Sequence, residues 1–207
     1  MDNGKGKFIV FEGLDGSGKT TQLYNLKKKL HDYGIKCHEE REPSDGIIGL
    51  LTRGAVTKKM TFQPETLALL FAADRFEHVT DDILPELERG VNVLCDRFVF
   101  SNLAYQSVFI SMEKVYSYNQ LILEKLMPDL TFFIDVPPEI CEKRLKTERT
   151  HFELFEGDGK SWQVRENFFK SFEMIENANV KIIDGTKRES VVFDKVWDAV
   201  RDVLNLE

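Results

Sequence analysis

The stretch "FEGLDGSGKTTQ", residues 11–22, combines three glycines with a lysine and two threonines. It follows the apolar run "KFIVF", which predicts a strand, and it precedes Leu23, Leu26 and Leu30, whose spacing predicts a helix. Most glycine-rich stretches are turns. A glycine-rich turn that opens a helix also points backbone N–H groups at one place, which favours the binding of an anion.

The spacing within this stretch identifies the anion as phosphate. Gly13, Gly18, Lys19 and Thr20 satisfy G-x-x-x-x-G-K-[ST], in which the backbone cradles phosphates, the lysine reaches the outer ones and the threonine hydroxyl binds Mg²⁺. Asp96 ends the apolar run "VNVLC", where its carboxylate can reach the metal or its waters. A strand-ending aspartate often caps a turn instead, but its pairing with this loop favours the metal.

Four arginines lie near the ends of predicted elements, at Arg41, Arg53, Arg75 and Arg97. A guanidinium group can bind phosphate through two parallel hydrogen bonds. Although a single arginine is usually a surface residue, four of them beside a phosphate-binding loop predict a clamp for a second anionic substrate.

Strand and helix patterns alternate along the chain. Because parallel strands need a crossover, which is usually helical, the alternation predicts βαβ units with a parallel sheet. The expected fold is α/β, a P-loop NTPase three-layer sandwich with a five-stranded parallel sheet, its strands within residues 7–12, 35–40, 91–96, 130–136 and 180–184. The last helix should bury a stripe of Phe193, Trp197, Val200 and Leu204.

The composition predicts one domain over residues 1–207, with a short lid over the charged, aperiodic residues 146–161. The net charge of −7 argues against a broad nucleic-acid surface. The longest apolar run, residues 67–73, is too short to span a membrane, and no targeting segment is visible. Three cysteines without metal-ligand spacing indicate reduced thiols and a cytoplasmic protein, with Cys95 in the core.

Several segments, taken in order, resemble the thymidylate kinase family over residues 7–186: "FEGLDGSGKTTQ", "REPSDGIIGLLTR", "LLFAADR", "DRFVFSNLAYQ", "MPDLTFFIDVPPE" and "IIDGT". The resemblance implies transfer of the γ-phosphoryl group of ATP to dTMP with Mg²⁺. It also implies a homodimer packed through helices, for which "LALLFAAD" is a suitable face.

The resemblance implies roles for the residues around dTMP. Phe71 would stack on thymine and Arg75, one helical turn later, would contact the base; core packing is the alternative for Phe71. Asn102 would pair with the thymine edge, and Tyr105 would occupy the space of a ribose 2′-hydroxyl. The other implied substrate residues are Asp15 near the 3′-hydroxyl or the phosphate, Arg53 and Arg97 on the phosphate, Pro43 beneath the nucleotide, and Ser101.

The remaining implied roles concern ATP and the transferring group. Gly13, Asp15, Gly16, Ser17, Gly18, Lys19, Thr20 and Thr21 would hold the phosphates, with Asp184 and Thr186 bordering adenine. Lys19, Arg97 and Asp15 would take part in catalysis.

One catalytic cation of the family has no counterpart in the usual places. Some members carry arginine in the loop, where this chain has Gly16, and others carry an Asp-Arg pair in the lid, where this chain has "FELFE". Arg149 is the expected substitute, with Lys146 and Lys160 as further lid cations. Arg144 would either serve this role or lie along adenine.

Two alternatives remain at this point. A kinase for UMP, CMP or a deoxynucleoside would use the same loop and lid. A GTP-dependent switch would need Asp-x-x-Gly after the metal strand, whereas Asp96 is followed by Arg97, and "TKRE" at residues 186–189 lacks the final aspartate of a guanine-binding motif.

Overall fold

The computed structural model describes residues 4–148 and 159–206. Its sheet has five parallel strands in the order β2-β3-β1-β4-β5, namely β1 (Phe8–Glu12), β2 (Cys37–Arg41), β3 (Asn92–Asp96), β4 (Leu130–Asp135) and β5 (Val180–Asp184). All five predicted strands are therefore confirmed, together with the α/β P-loop NTPase fold.

Helices connect the strands and lie against the sheet. They are α1 (Lys19–Asp32), α2 (Ile47–Val56), α3 (Pro64–His78), α4 (Leu84–Glu88), α5 (Val99–Gln106), α6 (Met112–Lys125), α7 (Pro138–Glu148), α8 (Ser161–Met174) and α9 (Glu189–Leu204). A π-helical turn, Val79–Ile83, joins α3 to α4.

The central strands position the loop. β1 pairs with β3 on one side and β4 on the other, so that Phe11 lies opposite Asp96 and Phe132. Because all strands run in parallel, their carboxyl ends form one edge of the sheet, where ligands bind in open α/β folds. The loop after β1 and the carboxylate after β3 meet at this edge.

The core is apolar on both faces of the sheet. β1 is buried throughout, and Cys95 is buried as expected. Of the predicted stripe of α9, Val200 is buried, while Phe193, Trp197 and Leu204 are partly buried and pack against the core. The other buried residues of this helix are Val192 and Val196, which the predicted stripe did not include.

Among the described residues, no helix combines the length and the hydropathy that a membrane span requires. The predicted lid overlaps the end of α7 and the start of α8, and residues 149–158 lie outside the described residues.

Candidate active site

The phosphate-binding loop is built on glycines with left-handed backbone. Gly16 and Gly18 have φ of 79° and 95°, a region that side-chain-bearing residues seldom adopt. Gly18 is the N-cap of α1, so the loop ends at the positive end of a helix dipole. This geometry suits phosphate.

The predicted metal-binding pair lies together at the loop. The Thr20 hydroxyl donates to Asp96 Oδ2 at 2.5 Å. Asp96 Oδ1 is buried without a hydrogen-bond partner among the described residues, and Lys19 Nζ lies 3.9 Å from it. A hydroxyl and an under-used carboxylate oxygen are the hard oxygen ligands that Mg²⁺ prefers, so these residues fit that ion.

Arg97 connects the loop to α5. Its left-handed backbone, with φ of 74°, turns the side chain toward the loop. The guanidinium donates to Asp15 Oδ1 at 2.7 Å, to the Gly13 carbonyl at 3.1 Å and to Ser101 Oγ at 2.9 Å, and it lies over the ring of Tyr105. Arg97 thus contacts four other predicted site residues.

Glu12, the last residue of β1, belongs to this arrangement and was not predicted. Its fully buried carboxylate accepts hydrogen bonds from the backbone N–H groups of Phe98 and Ser101 and from Ser101 Oγ, at 2.9, 3.1 and 2.5 Å. Burial raises the pKa of Glu12 to about 7, although these hydrogen bonds oppose the rise. A glutamate at the end of an otherwise apolar strand was the available signal.

Arg75 is buried and heavily hydrogen-bonded. It donates to Glu42 Oε2 at 2.5 Å and to the carbonyl of Phe98 at 3.2 Å. It also donates to the amide oxygens of Asn102 and Asn119, at 3.2 and 2.6 Å. The guanidinium is thus held by four acceptors.

His78 lies one turn after Arg75 on α3 and also faces acidic residues. Its Nε2 is 2.9 Å from Glu40 Oε2, and its Nδ1 is 3.5 Å from Glu42 Oε1. Burial would lower the pKa of His78, but the two carboxylates raise it to about 10. The cluster therefore balances two cations, Arg75 and His78, against two anions.

One cavity, here called the acceptor cavity, has a volume of about 440 Å³. Its wall contains all the residues that the resemblance assigns to dTMP: Asp15, Pro43, Arg53, Phe71, Arg75, Arg97, Ser101, Asn102 and Tyr105. Phe71 is half-buried and faces this cavity. Arg53 donates to Asp45 Oδ1 at 2.9 Å and to the carbonyl of Ser44, at the mouth.

A second cavity of about 430 Å³, here called the donor cavity, is lined by residues 15–22 of the loop and by Arg144. Arg144 donates to the carbonyls of Gly16, Ser17 and Gly185, at 3.2, 3.2 and 3.0 Å. The two cavities share Asp15, Lys19 and Thr20. Ligands in both would therefore meet at the loop.

Three of the predicted donor residues do not line this cavity. Gly13 is buried at the start of the loop, and Asp184 and Thr186 are exposed and bonded to each other. The hydrogen bonds from Thr186 lower the pKa of Asp184 to about 2. Their neighbours Gly185 and Lys187 are in the wall instead. Arg149 lies outside the described residues.

Two cavities that meet at one phosphate-binding loop are what phosphoryl transfer between two nucleotides requires. The fold and the site thus define a P-loop nucleotide kinase. A family model described as thymidylate kinase matches residues 11–196. The chain belongs to the thymidylate kinase family, and its activity is the transfer of the γ-phosphoryl group of ATP to dTMP.

Individual relatives match along nearly the whole chain. A thymidylate kinase of Caldicellulosiruptor saccharolyticus is 35% identical, covering 97% of this chain and 98% of that protein. A thymidylate kinase of Thermosipho africanus is 37% identical, covering 95% and 98%. A probable thymidylate kinase of Staphylothermus marinus is 34% identical, covering 99% and 97%.

Proposed function

We propose that dTMP binds in the acceptor cavity and ATP in the donor cavity, and that the phosphoryl group passes between them over Lys19. The observation that carries the proposal is the shared wall of Asp15, Lys19 and Thr20. It allows both phosphate ends to approach one ammonium group while the two bases remain apart.

The acceptor cavity supports specific roles for its residues. Phe71 stacks on thymine, Arg75 contacts the base, and Asn102 pairs with the thymine edge. Tyr105 excludes a 2′-hydroxyl, and Pro43 supports the nucleotide from below. Arg53 and Arg97 bind the phosphate of dTMP, aided by Ser101, while Asp15 holds the 3′-hydroxyl or borders the phosphate. The contact of Arg97 with Asp15 supports this assignment, because the carboxylate holds the guanidinium beside the loop.

On the donor side, the loop residues Asp15 to Thr21 hold the phosphates of ATP, and Gly13, with φ of 148°, lets the chain turn into the loop. Arg144 keeps the loop against the turn that contains Gly185. Asp184 and Thr186 support this turn from outside the cavity. Arg144 then forms a wall of the adenine end rather than a contact with the transferring group.

Thr20 and Asp96 would hold Mg²⁺, supported by the unpartnered Asp96 Oδ1. When bound, the ion neutralises charge on the phosphates of ATP. The acceptor phosphate is already ionised at neutral pH, so the protein needs no strong base. Lys19 and Arg97 align the two phosphates and offset their charge. We assign the further cation over the transferring group to Arg149, in a lid over residues 146–161.

We further propose one domain over residues 1–207 and a cytoplasmic location, in keeping with three free cysteines. A homodimer is supported by exposed apolar side chains on α3 and α6, namely Leu69, Phe76 and Leu121. Sedimentation velocity tests the dimer, and a Leu69→Glu variant should shift the protein toward the monomer.

The decisive experiment offers ATP and Mg²⁺ with a panel of dTMP, UMP, CMP, AMP and GMP, and measures kcat/KM for each. We expect dTMP to be strongly preferred. A comparable kcat/KM for UMP would leave only the kinase class. Slow GTP hydrolysis with no nucleotide phosphorylated would instead indicate a switch.

A further inference from the structure

His78 lies between two glutamates that face α3. Glu40 belongs to β2 and Glu42 follows this strand, so their side chains point to the same side, because residues two positions apart in extended chain share a face. His78 is 2% exposed and is not part of the wall of the acceptor cavity, whereas Glu42 and Arg75 are. Any influence of His78 on a ligand in this cavity must therefore pass through its neighbours.

The imidazole ring presents a donor to each glutamate. An ionised carboxylate can only accept hydrogen bonds, so both ring nitrogens must carry a proton to satisfy the two partners. Since the two carboxylates raise the pKa of His78 to about 10, the ring keeps both protons at neutral pH. His78 is thus a buried cation with one N–H directed at Glu40 and the other at Glu42.

Glu42 is held at its backbone and at one of its two carboxylate oxygens. Its backbone N–H donates to the carbonyl of Asp96 at 3.0 Å, and its Oε2 accepts from Arg75 at 2.5 Å. In the part of the chain that the structure describes, its Oε1 has no hydrogen-bond partner, and neither has Nδ1 of His78, which lies 3.5 Å away. These two atoms therefore face each other, and His78 is the cation that opposes the charge on this oxygen.

The orientation of Glu42 matters for Arg75. Of the four acceptors that hold the guanidinium within the described residues, only Glu42 carries a charge; the others are amide or carbonyl oxygens of Phe98, Asn102 and Asn119. Hydrogen bonds between charged groups are roughly twice as strong as neutral ones. Without a cation at Oε1, the buried carboxylate would rotate or take up a proton, and either change would loosen its hold on Arg75.

We propose that His78 is a positioning residue for dTMP, which orients the carboxylate of Glu42 so that Glu42 holds the guanidinium of Arg75 in the wall of the acceptor cavity. His78 itself touches no substrate. Its effect falls on KM for dTMP and not on kcat, because a contact with the base is the same in the ground state and in the transition state. The inference rests on the proposed function, since it takes dTMP to lie against Arg75.

Two variants of His78 separate its two hydrogen bonds. The amide nitrogen of glutamine reaches about as far as Nε2, so His78→Gln keeps a donor for Glu40 and loses the one for Glu42. The amide nitrogen of asparagine reaches about as far as Nδ1, so His78→Asn keeps the donor for Glu42. We expect His78→Gln to raise KM for dTMP by about 10-fold with kcat and KM for ATP unchanged, and His78→Asn to stay within about 2-fold of wild type.

Thermal melting of both variants distinguishes positioning from general stability. Each variant loses the buried charge and one of the two hydrogen bonds, so a purely structural role would raise KM in proportion to the loss of stability. The matched control is His31→Gln on the exposed face of α1, which should leave both constants at the wild-type value. Equal KM values for dTMP in His78→Gln and His78→Asn would overturn the inference.

A double-mutant cycle tests whether His78 acts through Glu42. The variant Glu42→Gln removes the charge that His78 opposes, so adding His78→Gln to it should change KM for dTMP by less than about 2-fold. A further increase of about 10-fold, equal to that in the wild-type background, would refute a path through Glu42.

A measurement on the unaltered enzyme provides the test if the variants fail to fold. The nitrogen and N–H proton resonances of the His78 ring are recorded with and without dTMP. We expect the Nδ1–H proton to move downfield at saturating dTMP, because contacts that are long in the empty site shorten when the ligand binds. An unchanged resonance would contradict the coupling between His78 and the base.

The variant Arg75→Lys distinguishes failure of this inference from failure of the proposed function. If Arg75→Lys raises KM for dTMP and His78→Gln does not, the proposed function stands and only the role of His78 is refuted. If Arg75→Lys leaves KM for dTMP unchanged, the base does not lie against Arg75, and the proposed placement of dTMP fails together with the inference.

Discussion

At the level of single residues, the acceptor side depends on a carboxylate that does not line the acceptor cavity, that of Glu12. Glu12 accepts three hydrogen bonds from the first turn of α5 and the residue before it, and Ser101 in turn accepts one from Arg97. A strand residue thus caps a helix that is distant in sequence and fixes the position of Arg97.

The substitution Glu12→Ala removes the acceptor for two buried backbone N–H groups. We expect it to lower the free energy of unfolding by about 2 kcal/mol or more, because each unsatisfied buried donor carries a desolvation cost. Urea denaturation measures the change. Glu12→Gln keeps one oxygen for these groups and should cost less, and equal losses in the two variants would contradict the capping role.

Lys19 allows a catalytic prediction at the same scale. Lys19→Met should retain the fold and raise the barrier to phosphoryl transfer by several kcal/mol, on the order of 3 or more. The reason is that charge on the phosphates loses its ammonium partner. Single-turnover rates at saturating nucleotides measure this. Lys28→Met, an exposed lysine on the same helix, is the control, and a near-wild-type rate for Lys19→Met would exclude the P-loop mechanism.

At the level of elements, α2 lies very close to the segment that follows β2. A Cβ atom at Gly49 would approach the carbonyl oxygen of Ser44 to 2.0 Å, whereas one at Gly54 would meet the flexible side chain of Met60 at 3.0 Å. Ser44 itself is held by two hydrogen bonds to Asp74 on α3. The approach of α2 therefore shapes the mouth of the acceptor cavity.

Two glycine-to-alanine substitutions on this one helix should have opposite effects. Gly49→Ala should destabilise the protein by roughly 1–3 kcal/mol through overpacking and raise the KM for dTMP. Gly54→Ala should be neutral or stabilising by up to about 1 kcal/mol, as expected for alanine in a helix. Chemical denaturation and dTMP kinetics of both variants provide the comparison. Equal stability of the two variants would show that the backbone around Gly49 shifts to accommodate a Cβ atom.

The sequence predicts elements better than it predicts what joins them. The strand at Phe8–Glu12 is visible as an apolar run, since burial on both faces leaves a local pattern. The hydrogen bond from Phe98 to Glu12 spans 86 positions and leaves no local pattern in the sequence. For the same reason, the resemblance suggests a role for Asn102, whereas its hydrogen bond with Arg75 depends on how α3 and α5 pack and could not be predicted.

At the level of the whole molecule, buried ionisable groups make the stability depend on pH. The pKa of His78 is raised from 6.5 to about 10, so between these values the native state holds a proton that the unfolded state has released. The contribution of His78 is complete below pH 6.5 and is lost as the pH rises through 10. The groups facing His78 are Glu40 and Glu42, with Arg75 beside them.

We therefore expect the free energy of unfolding to fall by roughly 2 kcal/mol or more between pH 6.5 and 10. Glu12, with its raised pKa, adds to the loss only up to about pH 7. Urea denaturation at several pH values measures the slope. In the His78→Gln variant, the free energy of unfolding should change less with pH. An unchanged pH dependence would show that other groups cause the loss of stability.

The contact between the loop and α7 limits the mutational paths open to this enzyme. A Cβ atom at Gly16 would lie 2.7 Å from the carbonyl oxygen of Cys141 and 3.0 Å from Leu145, on backbone with φ of 79°. A loop arginine, as some family members carry at this position, cannot be gained here in a single substitution. The first turns of α7 would have to shift beforehand, so positions 16, 141 and 145 are expected to evolve together.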